Sequence, residues 1–160
     1  MSDLAEESHE TYVYRRVSPT QFNAKKNEVT PDLFALGTAA RGLSVYHASI
    51  VTPREALRSV IEDKRKQLAS TEDVVRVNTQ KWLHKYPDVE SLVAIGWRIV
   101  KLPVSEIIAM GFGLGEPDAQ GHLNILGERS RFDDHIADFA ELLKVGKARL
   151  LTKDECLQID

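Results

Sequence analysis

The stretch that decides the fold is LVAIGWRIV, residues 92–100. Its large apolar side chains recur at every second position: Val93, Ile95, Trp97 and Ile99. This is the period of a β-strand that buries one face. The sequence therefore predicts a central strand here.

The chain on the C-terminal side of this stretch extends the same unit. Residues 102–106 favour the start of a short helix, and a glycine-rich turn follows. A second strand, bounded by glycines, is predicted from Gly121 to Gly127. We expect the rest of the chain to pack on the unit from Leu92 to Gly127.

Two further strands are predicted on the N-terminal side. Residues 11–17 are rich in aromatic and branched side chains, and residues 42–47 alternate apolar and polar types. Between them, residues 20–40 are polar with small apolar islands, which predicts a long ordered loop. Loops of that length in small domains often serve function, so this one is either a lid or a static loop.

Helix signals separate and follow the strands. Thr52-Pro53-Arg54-Glu55 is a capping box with proline at the first helical position. A second helix is predicted to start near residues 70–73 and to end before Pro87, and a third to run from a Ser130 cap to Gly146. Residues 147–151 are predicted to form a last short strand or an extended segment, and residues 152–155 another capping box.

These elements predict an α+β fold with a mixed or antiparallel sheet of four or five strands and about three main helices. Residues 1–10 are acidic and hold little apolar surface, which predicts a flexible tail. Residues 11–160 are predicted to form a single domain, since about 150 residues can bury a substantial core.

Composition excludes several classes of protein. The 21 Lys and Arg residues against 24 Asp and Glu give a net charge of -3, which argues against a nucleic-acid partner. Cys156 is the only cysteine, so the chain can form no internal disulfide and no cysteine-based zinc site. The chain has no apolar run of transmembrane length and no targeting signal, which predicts a cytoplasmic protein away from the membrane.

Two groups of polar residues are candidate ligand-binding or catalytic sites. Arg15 and Arg16 lie in a strand, so one guanidinium should project to each side of the sheet, and an inward one needs an anion or carbonyl partner. Structural ion pairing is the ordinary alternative for both.

The second group of candidates lies on the strands that follow the loop and the glycine turn: Ser44, Tyr46, His47 and His122. Polar strand residues beside loops often line clefts, although packed side chains with one hydrogen bond are more common at such positions.

Recognised motifs for metals, phosphates and nucleophilic serines do not occur. The five histidines lack the spacing of a metal site, and residues 111–117 alternate glycines without opening a helix. No Gly-x-Ser-x-Gly turn surrounds Ser44. The sequence thus predicts neither a metal nor a cofactor.

Several short motifs resemble a group of small bacterial proteins without an assigned activity. These are Tyr14-Arg15-Arg16 with Pro19, Leu43-Ser44-Val45, Gly96-Trp97, Glu116-Pro117 and His122-Leu123-Asn124-Ile125. The resemblance covers residues 12–127 and implies a small cytoplasmic α+β domain from a bacterium.

The order of residue types also resembles ADP-ribosyltransferase-like folds, which bind a nicotinamide dinucleotide. The resemblance implies that Arg15 or Arg16 holds the phosphates or ribose, that Tyr46 stacks on the nicotinamide, and that Glu128 stabilises the oxocarbenium-like centre. The chain departs from that pattern because it lacks Ser-Thr-Ser ahead of the glutamate.

These residues support two functional hypotheses. The first is a protein-interaction domain, an accessory or immunity-type subunit with another protein subunit as partner, in which Trp82, Tyr86 and Phe112 serve as exposed anchors. The second is an enzyme acting on a nucleotide through Glu128, Tyr46 or His47, with Arg15, Arg16, Ser44 and His122 as ligand-binding residues. Contact with nucleic acid through the basic residues near 64–76 ranks below both.

Overall fold

The computed structural model describes residues 10–35, 42–70 and 73–158. The strands in this part of the chain are β1 (Tyr12–Val17), β2 (Phe22–Asn23), β3 (Glu28–Val29), β4 (Leu43–His47), β5 (Arg98–Pro103), β6 (Gly113–Leu114), β7 (His122–Leu126) and β8 (Arg149–Leu150). The helices are α1 (Pro53–Ser70), α2 (Asp73–Lys85), α3 (Val89–Ala94), α4 (Val104–Ala109), α5 (Arg129–Lys144) and α6 (Lys153–Leu157). Two 3-10 turns span Pro19–Gln21 and Pro31–Phe34.

The fold is α+β, as predicted. Six strands form one antiparallel sheet in the order β6-β7-β4-β1-β5-β8, and β2 pairs with β3 in a separate hairpin. The sheet thus has six strands instead of four or five, because two-residue segments complete both edges. The longest helices are α1, α2 and α5, which correspond to the three main helices expected. Among the described residues, no helix combines the length and apolar character needed to cross a membrane.

The predicted central strand is wrong in its first half. Residues 89–94 form helix α3, and only Arg98 onwards belongs to strand β5. Asp88 accepts a hydrogen bond from the Ser91 backbone N–H and caps the helix, and Gly96 follows it with φ of 118°. Buried residues at positions 89, 92 and 93 fit a helical period, which overrides the apparent alternation.

The other boundaries agree more closely. Thr52 and Glu55 form the predicted capping box at the start of α1, and Thr152 and Glu155 form the second at α6. The predicted Ser130 cap is wrong, because α5 begins at Arg129 with Glu128 at the N-cap position. The predicted loop holds a 3-10 turn, the β2–β3 hairpin and a second 3-10 turn. Its residues 36–40, like most of the predicted tail, lie outside the described part.

The two faces of the sheet are covered by different elements. On one face, called here the aromatic face, α5 and the second 3-10 turn cover Val13, Val45 and Val100 with a group of phenylalanines. On the other, called the cleft face, α1, α3 and α6 pack on Tyr14, Tyr46 and Ile99. Helices therefore lie on both sides of an antiparallel sheet.

Candidate functional site

A cleft of about 450 Å³ opens on the cleft face, between α1 and the turn that precedes β7. The strands contribute four polar or aromatic residues to its lining: Arg16, Ser44, Tyr46 and His122. Helix α1 contributes a polar set: Glu55, Arg58, Ser59, Glu62, Asp63 and Lys66. Asp118 and Gln120 of the turn, with Ile50 and Val51, close the remaining side. Four residues from the two predicted groups thus lie in one site.

A serine, a histidine and an aspartate lie side by side in space along this cleft. Ser44 Oγ is 2.7 Å from His122 Nε2, a hydrogen bond between side chains 78 residues apart in the chain. On the other side of the ring, His122 Nδ1 is 3.9 Å from Asp118 Oδ2. That separation is longer than a hydrogen bond, and a shift of about 1 Å would close it. The order matches nucleophile, base and orienting carboxylate.

The register of the sheet creates the contact between Ser44 and His122. Strands β4 and β7 pair with Tyr46 opposite His122 and Ser44 opposite Asn124. Residues two apart on a strand share a face, so Ser44 and His122 are diagonal neighbours on the cleft face. Their contact therefore depends on long-range strand pairing.

The turn before β7 holds the histidine in place. Asp118 Oδ1 accepts hydrogen bonds from the backbone N–H groups of Gln120 at 2.9 Å and His122 at 3.0 Å. Gly121 has φ of 82°, and a Cβ there would lie 3.1 Å from Ile50, so both conformation and space favour glycine. The same aspartate thus shapes the turn and turns its second oxygen towards the imidazole.

The sheet opens beside Ser44. The pairing of β1 with β4 includes Val13 with His47 and Tyr14 with Tyr46, and stops there. Beyond this point the Ser44 carbonyl accepts a hydrogen bond from Arg15 Nη1 at 2.8 Å. In an antiparallel ladder the N–H and C=O of one residue point to the same neighbour, so the Ser44 N–H also points into this opening.

Arg16 is fixed at the edge of the cleft. Its Nη1 donates to Ser59 Oγ at 2.8 Å and to Asp63 Oδ2 at 3.0 Å. The guanidinium carbon lies 5.4 Å from the centre of the Tyr46 ring. Tyr46 is only 6% exposed and its ring also meets His122 edge-on, so it forms the floor of the cleft rather than a surface for stacking.

Arg15 lies on the opposite face of the sheet from the cleft. Its Nε donates to the Leu33 carbonyl at 3.2 Å, while Nη1 holds the Ser44 carbonyl. Burial, with a smaller contribution from Arg16, lowers the pKa of Arg15 to about 10. Arg15 therefore links the second 3-10 turn to β4 on the aromatic face of the sheet, opposite the cleft.

Two predicted catalytic residues do not line the cleft. His47 Nδ1 lies 2.6 Å from Ser49 Oγ in the turn after β4. Glu128 is exposed at the start of α5, where its carbonyl accepts hydrogen bonds from the Arg131 and Phe132 N–H groups. The convergence of Glu128 with Arg16 and Tyr46 that the ADP-ribosyltransferase hypothesis requires is not present.

Sequence reasoning missed three residues of the site. Asp118 precedes His122 by four residues in a Pro-Asp turn, a spacing that could have drawn attention to it. Ser59 and Asp63 lie one turn apart on α1, and their contacts to Arg16 could not be foreseen because they depend on how α1 packs on the sheet.

The proposed interaction anchors also differ from expectation. Phe112 is 4% exposed and packs on Phe132 with ring centres 4.5 Å apart, so its prediction as an exposed anchor is wrong. Trp82 and Tyr86 are half-buried, and both pack against the cluster formed by Val60, Ile61 and Leu92.

Within residues 10–35, 42–70 and 73–158, no three His, Cys, Asp or Glu side chains are grouped so that they could hold a metal ion. Comparisons with known protein families, with curated proteins and with solved structures found no match to this chain. The geometry of the cleft is therefore the basis for assigning a function.

Proposed function

We propose that this chain is an enzyme of the hydrolase or group-transfer class in which Ser44 is the nucleophile and His122 its general base. The observation that carries the proposal is the 2.7 Å contact between Ser44 Oγ and His122 Nε2 in the lining of a cleft. A serine hydroxyl is a weak nucleophile unless an adjacent base accepts its proton. The pair meets that requirement.

Each group has a role in the proposed reaction. Ser44 Oγ attacks the carbonyl carbon or phosphorus of an ester, and its proton passes to His122 Nε2, which then protonates the leaving alcohol. Water cleaves the covalent intermediate in the second half of the reaction. Asp118 steadies the imidazolium from the other side. General base catalysis of this kind contributes about 10²- to 10⁴-fold in rate.

Charge that develops on the substrate oxygen needs a donor close to Ser44. The Ser44 N–H points into the opening between β1 and β4, and Arg16 lies on the same face of the sheet beside it. We assign the two as the oxyanion donors. Removing one donor of this type costs about 10²- to 10³-fold in rate in enzymes that use them.

A fluorophosphonate probe tests the proposal without knowledge of the substrate. The probe forms an oxygen–phosphorus bond to an activated serine and releases fluoride, while the serine proton passes to the base. We expect one adduct per chain, located at Ser44 by peptide mass spectrometry. Ser44→Ala should abolish it, and His122→Gln should slow it at least 100-fold.

The chain contains a matched control for this experiment. Ser49 and His47 form a second serine–histidine contact, 2.6 Å between Oγ and Nδ1, on an exposed turn outside the cleft. Ser49→Ala should leave the labelling rate unchanged. Labelling at Ser49, or no labelling of the folded wild-type protein, would contradict the assignment of Ser44 as nucleophile.

A second candidate function is that of a protein-interaction domain. The first turns of α2 expose three valines: Val74 by 72%, Val75 by 48% and Val77 by 46%. Exposed apolar side chains grouped on one element are typical of protein contact surfaces. The partner in this proposal is another protein subunit, which docks on α2.

Substitution of Val74 and Val77 tests this function. If α2 docks a partner, the Val74→Ser/Val77→Ser variant should lose at least tenfold in co-purification of that partner from the native extract, with unchanged circular dichroism. Equal recovery of the same proteins with the wild type and the variant would argue against α2 as the contact surface.

A further inference from the structure

We infer that the substrate of this cleft is a small molecule with at least two negative charges, held by Arg58 and Lys66 of α1. This inference rests on the proposed function, because it names the substrate class for the same site. It is supported by two properties of the charged side chains that line the cleft: which of them already have a hydrogen-bond or ion-pair partner, and how far apart the others lie.

The carboxylates of the cleft already have partners. Asp63 pairs with Arg16 at 3.0 Å, and Glu62 pairs with Arg65 at 2.8 Å. Glu55 accepts the Thr52 backbone N–H in the helix cap, and Asp118 accepts two backbone N–H groups in the turn. The negative side chains are thus held by groups of the protein itself.

Two cations of the lining are in the opposite situation. Arg58 and Lys66 are exposed, and neither forms a hydrogen bond or ion pair with any residue in the described part of the chain. Both belong to the lining of the cleft. An anionic ligand would therefore find two cationic groups that need not leave other partners, which favours its binding.

The positions of these cations limit the form of the ligand. Eight residues separate them on one helix, which corresponds to about 12 Å along the axis at 1.5 Å per residue. A dianion or oligoanion can contact both cations with separate charged groups, whereas a ligand with a single charge can neutralise only one of them. A cleft of about 450 Å³ suits a small molecule.

The remaining walls orient such a ligand. Ser44 and His122 lie on the sheet side, facing α1, while Ile50 and Val51 supply an apolar side wall. A substrate whose charged groups contact Arg58 and Lys66 would place its remaining part towards Ser44. The ester to be cleaved is therefore expected to join a charged portion to an uncharged one.

Binding of two simple oligoanions tests the inference. Tripolyphosphate and citrate are titrated into the full chain at low salt by isothermal calorimetry, so that a phosphate ligand and a carboxylate ligand are distinguished. We expect at least one of them to bind, and to bind at least tenfold more weakly to the Arg58→Gln/Lys66→Gln variant. The affinity should also fall as salt is raised.

The control variant is Lys25→Gln/Lys26→Gln. It also removes two positive charges, but from the exposed loop between β2 and β3, outside the cleft. This variant should bind the anion as the wild type does. Failure of both anions to bind the wild type, or equal loss of affinity in the two double variants, would overturn the inference.

The outcome is separable from that of the proposed function. If Ser44 reacts with the fluorophosphonate but neither anion binds, the nucleophile stands and the substrate class falls. If an anion binds through Arg58 and Lys66 but no serine is labelled, the charged site stands and the catalytic assignment falls. Protection of Ser44 from the probe by the bound anion would place both in one cleft.

Discussion

The two faces of the sheet differ in how they are covered: one carries an aromatic core, and the other carries the polar cleft that we propose as the active site. The aromatic face is packed against α5, with Phe34 stacked on Phe139 at 4.7 Å between ring centres and Phe112 packed on Phe132, although a cavity of about 490 Å³ opens beside Phe34 and Leu143. The cleft face is covered by α1, α3 and α6 only in part, and its uncovered part holds hydrogen-bonded polar side chains. The aromatic packing on one face can therefore hold the core while the other face exposes polar side chains.

The largest effect that tests this comparison is expected on the aromatic face. Phe139 is fully buried, stacks on Phe34 and also contacts Phe112. Phe139→Ala should lower the free energy of unfolding by about 3–5 kcal/mol, because it removes the buried ring and leaves a cavity. Urea denaturation followed by tryptophan fluorescence measures the change.

Ser44→Ala is the matched substitution on the cleft face. Ser44 is only half-buried, and removal of its hydroxyl leaves His122 partly open to water. We expect a change of less than about 1 kcal/mol in the free energy of unfolding, the scale of one exchanged hydrogen bond. Equal destabilisation by the two substitutions would remove the distinction between the faces.

Sequence patterns predicted β1, β4 and β7 correctly, but they were wrong about the first half of the predicted central strand. Aromatic and branched residues located β1, the bounding glycines located β7, and alternation located β4. Alternation failed at residues 92–97 because buried positions 89, 92 and 93 follow the helical period, and the cap at Asp88 was overlooked. The residues that favour a helix over a strand here, the Asp88 cap and Val89, lie just before the stretch 92–100.

Some members of the site could be predicted from the sequence, but their arrangement could not. Arg16, Ser44 and His122 were recognised as polar residues on strands, yet their meeting depends on which strands are neighbours and in which register. The pairings between β4 and β7 join positions 76 to 82 residues apart, and no local pattern encodes them. Helix α1 supplied the rest of the lining from a face that resembles an ordinary solvated surface.

The covered part of the cleft face can be tested through Cys156. This thiol is fully buried under α6, and burial raises its pKa to about 11 from the ordinary value of 9.0. Between pH 9 and 11 the unfolded chain therefore releases this proton while the folded chain retains it. Stability contributed by the buried thiol is complete below pH 9 and should fall by about 2–3 kcal/mol as the pH rises to 11.

Comparison with Cys156→Ala isolates the contribution of the thiol. Lysines and tyrosines also titrate in this range, but they do so in both proteins. The decline in unfolding free energy from pH 8.5 to 11 should be smaller in the variant by the stated amount. Identical declines would mean that α6 does not exclude solvent from this part of the cleft face.

The smallest expected effect concerns the edge where α6 meets the sheet. Glu155 of α6 pairs with Arg149 of β8 at 2.7 Å, and its hydrogen bond to Arg149 is the main reason that its pKa falls to about 2. A depressed carboxyl pKa stabilises the fold above the ordinary value of 4.5, and this contribution is lost as the pH falls towards 2. The Arg149 side chain is 53% exposed and that of Glu155 33%, so solvent screening limits the contribution to less than about 1 kcal/mol.

Glu155→Gln retains an acceptor for the Thr152 N–H and removes only the charge. The free energy of unfolding, measured from pH 5 to 3, should therefore decline less steeply in this variant than in the wild type. In 0.5 M NaCl the pH dependences of the two proteins should converge, because salt screens an exposed ion pair. A difference that persists in salt would show that this edge is more buried than the side-chain exposures indicate.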